Sequence, residues 1–265
     1  TAFMLKAAKE AKIHTSWTEP NAAYEKAFQD FIERIMDAAS YKAFADAVAR
    51  FAGKVAFFGR FNSLSQTLLK IASPGVPDFY QGCELWDLSL VDPDNRRPVD
   101  YAVRQNLLAD VRKSAAMAPE ALREFLSGLL RDEKPGMMKL FLIWRTLNYR
   151  RALRELFDSG DYVPLAADGE KQKHVCAFAR QTKEHQAIVV TPRLVQSLTQ
   201  GQETPPIGRE LWKDTVVLLP SAGAGDAYRN VLTQETVAVT ESNGTPALVL
   251  GDVLSIFPVA LLEKV

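Results

Sequence analysis

Cysteine is scarce in this chain: Cys83 and Cys176 are its only two, far apart and in no metal-binding or redox spacing. That excludes a disulfide framework and reads as two free thiols in a reducing compartment, with the cytoplasm as the default location. An excess of one charge sign is missing too, since 32 basic residues stand against 32 acidic ones and no basic patch stands out. The sequence therefore predicts no nucleic-acid partner. Long apolar runs are also absent. The longest, around 247–262, is broken by Gly251, Asp252 and Pro258, so no membrane partner is expected, and the start shows no signal-peptide pattern. No internal repeat is visible.

The apolar share is ample, 47% of 265 residues, enough for a sizeable core in two structural units. The helical pattern is already in progress at Phe3 and runs to Ala11, as in a segment of a longer polypeptide. Pro20-Asn21 opens a second helix with Tyr24, Phe28, Phe31, Ile32 and Ile35 at helical spacing, and Ser40 can cap a third. Gly53 and Gly59 interrupt the next stretch, before Leu64, Leu68, Leu69 and Ile71 restore a helical face that must stop at Pro74. Helices are predicted again over Val103 to Ala116, Pro119 to Arg131 and Met137 to Phe157.

From Asp158 the character changes to short β-rich runs. They are His174 to Arg180, Ala187 to Thr191, Thr215 to Leu219, Tyr228 to Val231, Glu235 to Val239 and Ala247 to Pro258. The fold class expected is α+β, a mainly helical part over 1–157 followed by an antiparallel β-sandwich over 158–265. The stretches Ala167 to Lys173, Gln200 to Gly208 and Gly223 to Gly225 read as surface loops, the second of them poorly ordered.

The chemistry-bearing residues concentrate between Ser73 and Tyr101. Pro74, Gly75 and Pro77 forbid a helix, Val76 to Tyr80 has the composition of one short buried strand, and from Gly82 the chain reads as an exit loop with Glu84, Trp86 and Asp87. Rings beside carboxylates suit a sugar, whose C–H face is apolar and whose edge is polar. Tyr80 and Trp86 can stack on a pyranose or serve as core aromatics. Gln81, Glu84 and Asp87 can bond sugar hydroxyls or stay solvated.

In the turn at 92–98, Asp92 and Asp94 favour tight backbone bonding, and Arg96 or Arg97 could fork onto a carboxylate and stiffen the loop. A calcium loop would need an oxygen ligand where Arg96 stands and glycine where Arg97 stands, so no metal is expected, and nothing else implies a cofactor. His14 reads as a hydrogen-bonded structural group rather than a catalyst, His174 and His185 as exposed, and Cys83 has no basic partner that would make it a nucleophile.

The run from Ser73 to Tyr101 resembles the signature of the malto-oligosyltrehalose synthases of the α-amylase superfamily. Lys9 to Asn21, with its Thr15-Ser16-Trp17 core, is similar to a second family segment, and Ile143-Trp144-Arg145 with Arg150-Arg151 and Leu156-Phe157 is similar to the last barrel helix. The resemblance implies that 1–157 closes an α-amylase-type (β/α)8 barrel with a helical insertion, and that the sandwich follows it. It also implies a substrate, a malto-oligosaccharide, whose reducing-end α-1,4 linkage is converted to α,α-1,1 by intramolecular transfer.

Trp17, Tyr80, Gln81, Glu84, Trp86 and Asp87 would then face sugar, with Asp92, Asp94, Arg96 and Arg97 supporting the loop. The family's His-Asp-Thr-Lys-Arg-Ser-Glu-Asp-like run, which carries the assisting Asp, does not occur here. The catalytic carboxylates are therefore expected upstream, in a missing N-terminal barrel portion, and this segment alone is expected to be inactive. A sibling amylase-family hydrolase, a non-catalytic glycan-binding module and an assembly module are the alternative readings.

Overall fold

The structure, a computed structural model, describes residues 1–37, 39–90, 94–131, 134–223 and 225–265, with Asp94 by its backbone alone. Contacts divide these residues into two units, Thr1–Phe57 with Ser89–Arg97, and Phe58–Leu88 with Pro98–Val265. Each is described by itself.

The first unit holds α1 (Ala2–Ala11), α2 (Ala22–Met36) and the first part of α3 (Lys42–Ala72). The Asn21 side chain accepts from the Tyr24 amide at 3.1 Å and so starts α2 where the sequence predicts. Ser40 does not take the capping role expected of it: α3 begins at Lys42, which puts Tyr41 at the cap position with its carbonyl accepting from the Ala45 amide, and the Ser40 hydroxyl donates to Asp37. Gly53 and Gly59 do not interrupt α3, which runs unbroken for 31 residues. A Cβ at either glycine would meet nothing within 4 Å, so the helix passes through them at only the ordinary glycine cost.

The second unit contains the end of α3 and then α4 (Tyr101–Lys113), α5 (Pro119–Arg131), α6 (Met137–Ala152) and α7 (Arg154–Asp158). The single helix predicted over 137–157 is broken at Leu153, whose backbone at φ −111° and ψ 48° is no longer helical. The first two turns of α6 are buried on every side, from Met137 to Ile143. Rings carry the contact outward, Phe125 to Phe141 at 5.8 Å and Phe141 to Phe257 at 5.7 Å, both edge-on.

Among the described residues the strands are β1 (Asp161–Leu165), β2 (Ala167–Asp168), β3 (Val175–Gln181), β4 (Gln186–Pro192), β5 (Val216–Leu218), β6 (Ala227–Asn230), β7 (Thr236–Ala238), β8 (Thr240–Ser242), β9 (Thr245–Val249) and β10 (Ala260–Lys264). One sheet runs β1-β3-β4-β10-β6-β7 and the other β2-β5-β9-β8, with every pairing antiparallel. Between them come short helices α8 (Val195–Leu198), α9 (Arg209–Trp212) and α10 (Leu250–Val253). One apolar cluster draws on both sheets, with Ala177, Ile188, Val190 and Leu262 from the first and Val217 and Leu248 from the second. The expected α+β class with antiparallel sheets is therefore present.

Three details differ from expectation. β1 was hidden because Pro164 interrupts its short Tyr162–Leu165 run, and β2 because it is only two residues long. The run predicted over 247–258 holds only the end of β9 and then α10, and the next strand, β10, begins beyond it at Ala260. The 200–208 stretch is pinned, because the Gly208 amide donates to the Leu254 carbonyl at 2.9 Å and the indole of buried Trp212 donates to Pro206 O at 3.0 Å.

Residues 187–190 of β4 are all fully buried because both of its faces are covered. Ile188 and Val190 look into the inter-sheet cluster, whereas Ala187 and Val189 share the opposite face with their cross-strand partners Arg180 and Phe178. That second face meets the helices: Ser65 Oγ donates to Pro192 O at 2.9 Å, and Arg180 reaches three carbonyls. Arg180 Nη1 bonds Ala72 O at 3.0 Å, and Nη2 bonds Phe157 O at 2.9 Å and Gly160 O at 2.8 Å. These are charge-assisted bonds in a dry setting, Arg180 being 1% exposed.

Arg180→Met would bury three carbonyls without their donor, and we expect it to destabilise this unit by about 3 kcal/mol, read as a lowered urea midpoint. A second expectation concerns acid. Lys134 and then Lys113 hold the Asp110 carboxyl down at about 2. A carboxyl with a depressed folded pKa gives stability that is complete above its unfolded value and lost as pH falls from about 4 towards about 2. Across that window the wild type should lose stability more steeply than Asp110→Asn in urea titrations.

Candidate functional site

The signature loop divides between the units, 73–88 and 98–101 in the second and 89–97 in the first. In the second unit, α3 ends at Ala72 just before Pro74, leaving its last carbonyls without helical partners. Arg150 from α6 takes one of them, Ile71 O at 2.6 Å, and with its other nitrogen takes Gly75 O at 2.7 Å. Val76 to Tyr80 then follows with no regular secondary structure and is not the buried strand expected. Val76 is 93% exposed, and no strand lies alongside to pair with it among the described residues.

A turn follows, closed by the Cys83 amide on Tyr80 O at 3.1 Å. Arg104 organises it. Its Nε donates to Glu84 Oε2 at 2.9 Å, Nη2 to Gly82 O at 2.6 Å and Nη1 to Asp100 O at 3.0 Å. Arg104 is placed by α4, whose start is fixed by Asp100 accepting from the Val103 amide at 3.0 Å. The turn needs glycine at position 82, where φ is +92°.

The far side of the turn rests on the start of α6. Lys139, 9% exposed, donates from Nζ to Leu85 O at 3.1 Å. Burial pushes its ammonium below the usual lysine range, against the pull of Cys83, Asp87 and Glu84. Gly136, at φ +79°, lets this backbone approach closely: a Cβ there would lie 2.8 Å from the Leu85 Cβ and from the Trp86 amide nitrogen. Lys70 caps the Phe79 ring at 3.8 Å from its centroid.

On this frame Glu84 is committed to Arg104, and Gln81 Oε1 faces the Tyr101 hydroxyl at 3.5 Å. Tyr80 is 48% exposed, Trp86 half-buried, and Gln81 and Asp87 exposed. Five of the expected sugar-facing residues therefore share one braced turn.

Trp17 lies in the first unit. It is 59% exposed, its indole donates to Glu10 Oε1 at 2.8 Å, and Lys9 Nζ sits 4.9 Å from its ring centroid. The preceding Thr15 hydroxyl donates to Glu25 at 2.6 Å, and this bond, then Lys9, draws the Glu25 carboxyl below its ordinary range. His14 packs its ring on Tyr24 at 5.1 Å. In the same unit Arg97 donates to the Ser89 hydroxyl, and Arg96 closes a 3-10 turn over Asp94–Arg96. Asp92 lies outside the described residues, as does the side chain of Asp94.

Sequence reasoning missed Arg104, Lys139 and Gly136, and it named Arg150 without the part it plays in holding the loop. One signal was available: Lys139 is a lone charge within the apolar run 137–144. Arg104→Met should release Gly82, Glu84 and Asp100 together. We expect amide exchange at residues 82–86 to accelerate at least tenfold, with little change in the exchange of β3 and β4.

No protein-family model matches the chain. A Mycobacterium tuberculosis protein named as a candidate maltooligosyl trehalose synthase is 32% identical over 259 residues, which is 98% of this chain and 27% of that protein. The maltooligosyltrehalose synthase structure from Arthrobacter ramosus superposes with a TM-score of 0.73 at 30% identity, covering 100% of this chain and 30% of that one. A further maltooligosyl trehalose synthase crystal structure gives 0.69 at 28% identity, covering 99% and 29%. The chain thus spans about a quarter of the length of the curated relatives it matches. Over practically all of its own length, and over that part of theirs, this chain is similar in sequence and in fold to the maltooligosyl trehalose synthases.

Proposed function

We propose that this chain is the C-terminal part of a maltooligosyl trehalose synthase, acting in the cytoplasm on malto-oligosaccharides. One observation carries the reading: a stretch similar to these enzymes over 98% of its length folds its signature into a braced turn that displays Tyr80, Gln81, Trp86 and Asp87. On this reading residues 1–157 complete an α-amylase-type barrel and 158–265 form the sandwich behind it. The braced turn lines the sugar mouth, and the resemblance assigns sugar contact to Trp17 as well and loop support to Asp92, Asp94, Arg96 and Arg97. Glu84 serves through Arg104 as well as through any sugar hydroxyl it meets.

The reaction is an isomerisation whose reacting carboxylates belong to the preceding barrel portion. A carboxylate attacks the anomeric carbon of the penultimate glucose while an acid protonates the departing O4, so one C–O bond forms as the α-1,4 bond breaks. The freed glucose turns over and its own C1 hydroxyl displaces the carboxylate, returning its proton to the conjugate base and closing the α,α-1,1 linkage. The contribution of this chain is to hold that glucose and exclude water until the second displacement, because water in its place gives hydrolysis.

The test uses maltopentaose. With the preceding barrel portion attached, the polypeptide should remove reducing ends without changing the mass of the sugar, and the present chain alone should not. Release of glucose, maltose or trehalose as the main product would assign a hydrolase of the same superfamily instead.

A further inference from the structure

A polar cavity of about 350 Å³ opens in the second unit, away from the signature loop. The last turn of α6, the turn between β3 and β4, and the end of β10 enclose it, with Tyr149, Gln181, His185, Gln186, Glu263 and Lys264 on its wall. Its charges cancel, Lys183 and Lys264 against Glu184 and Glu263, which gives no preference for an anion or a cation. Amides, a phenol, an imidazole and a carboxylate supply donors and acceptors in mixture, while the Tyr149 ring and Leu153 supply apolar surface.

Most of this wall is held in place. The Tyr228 hydroxyl donates to Gln186 Oε1 at 2.6 Å, and Gln186 Nε2 donates to Gln181 Oε1 at 3.1 Å, so the two amides are oriented relative to each other. Glu263 Oε1 accepts from Arg229 Nε at 2.8 Å, and Lys264 Nζ lies 2.7 Å from Asp226 Oδ2. The exception is Tyr149. Its hydroxyl is buried and makes no well-formed hydrogen bond among the described residues, a state native proteins rarely tolerate without a reason. Burial first, and then the Glu263 carboxylate, by its charge and by a hydrogen bond of poor geometry, push the phenol above its usual range, so it stands protonated with a donor that no well-aligned acceptor takes.

We propose that this cavity is a second carbohydrate site, taking one neutral glucosyl unit whose ring oxygen or hydroxyl accepts from Tyr149 while Gln181 and His185 bond its edge. The volume lies at the small end of the ligand range of about 300–1,000 Å³, which suits a single pyranose. Occupancy would give the Tyr149 hydroxyl a well-aligned acceptor, which the poorly placed Glu263 carboxylate does not supply, and leave the braced turn untouched. Nothing in this step depends on the isomerase reading, since the site needs no catalytic group.

The experiment is a nitrogen-15 NMR titration of this chain with trehalose and, separately, with methyl α-glucoside. Saturable shifts should appear at the side-chain amides of Gln181 and Gln186 and at the backbone of His185. Tyr149→Phe should weaken binding at least fivefold, as loss of one hydrogen bond does, with a thermal midpoint unchanged or raised because that hydroxyl is left unsatisfied in the free protein. Gln181→Ala should weaken binding similarly, and Trp86→Ala should leave it intact.

Absence of saturable shifts at tens of millimolar sugar, or an unchanged affinity in both Tyr149→Phe and Gln181→Ala, would overturn the proposal. So would shifts that vanish with Trp86→Ala, because they would place the sugar at the signature loop. None of these outcomes bears on which product is made from maltopentaose.

Discussion

Two guanidinium groups at the end of α3 are the constraint on which the second unit depends. A helix that stops at Ala72 before a proline leaves carbonyls pointing at the place where the chain must turn, and no further helical turn supplies their donors. Arg150 takes Ile71 O and Gly75 O, and Arg180 takes Ala72 O, Phe157 O and Gly160 O. Five carbonyls from the end of α3, the loop after it, α7 and the segment before β1 thus converge on two side chains. Burying two like charges together is costly, and the cost shows in Arg180, which burial and then Arg150 both push down. Cation–π contact of each with the Phe157 ring, at 5.4 Å and 5.8 Å, and the Asp158 carboxylate 3.6 Å from Arg150 offset part of it.

The same device recurs along the signature loop. Residues 73–88 form no helix or strand, so their carbonyls are bonded by side chains that later helices supply: Arg150 at Gly75, Arg104 at Gly82 and Lys139 at Leu85. The conformation of the loop is therefore set by α4 and α6 together with Gly82 and the Cys83–Tyr80 turn bond of the loop itself. This arrangement has a functional consequence. A loop anchored through its backbone by cations beneath it does not have to bury its rings to stay ordered, and Tyr80 is left 48% exposed. Preorganised aromatic surface lowers the ordering cost of binding.

Legibility in the sequence followed whether a signal was local. The starts of α2 and α5 were readable because Asn21 and Pro119 carry their reasons on their own side chains, and β4 was readable because a strand covered on both faces is apolar throughout. Gly53 and Gly59 misled because a glycine signals a break only when something else demands one, and nothing stands near either position. Val76 to Tyr80 had strand composition, yet a strand is a pairing and no partner strand lies beside it among the described residues. β1 is the converse case: its composition is undistinguished, and it exists because β3 offers it an edge along Asp161–Leu165.

The candidate site divides along the same line. Rings and acids in a Gly/Pro-rich stretch announce themselves, and Tyr80, Gln81, Glu84, Trp86 and Asp87 were all nameable from sequence. The groups that determine what those residues can do were not, because Arg104 is about twenty positions from Glu84 and Lys139 is 54 from Leu85. Glu84 illustrates the consequence. Read alone, it is a carboxylate free to bond sugar; in the fold one of its oxygens is held by Arg104, so its first effect is to fix a guanidinium that in turn fixes Gly82 and Asp100. Removing Glu84 would therefore alter the shape of the whole turn before it altered any single contact, and a loss of activity on that substitution would not by itself identify a sugar ligand. Trp86 and Asp87 stand on backbone held from beneath, because Gly136 admits the Leu85–Trp86 segment and Lys139 bonds Leu85 O.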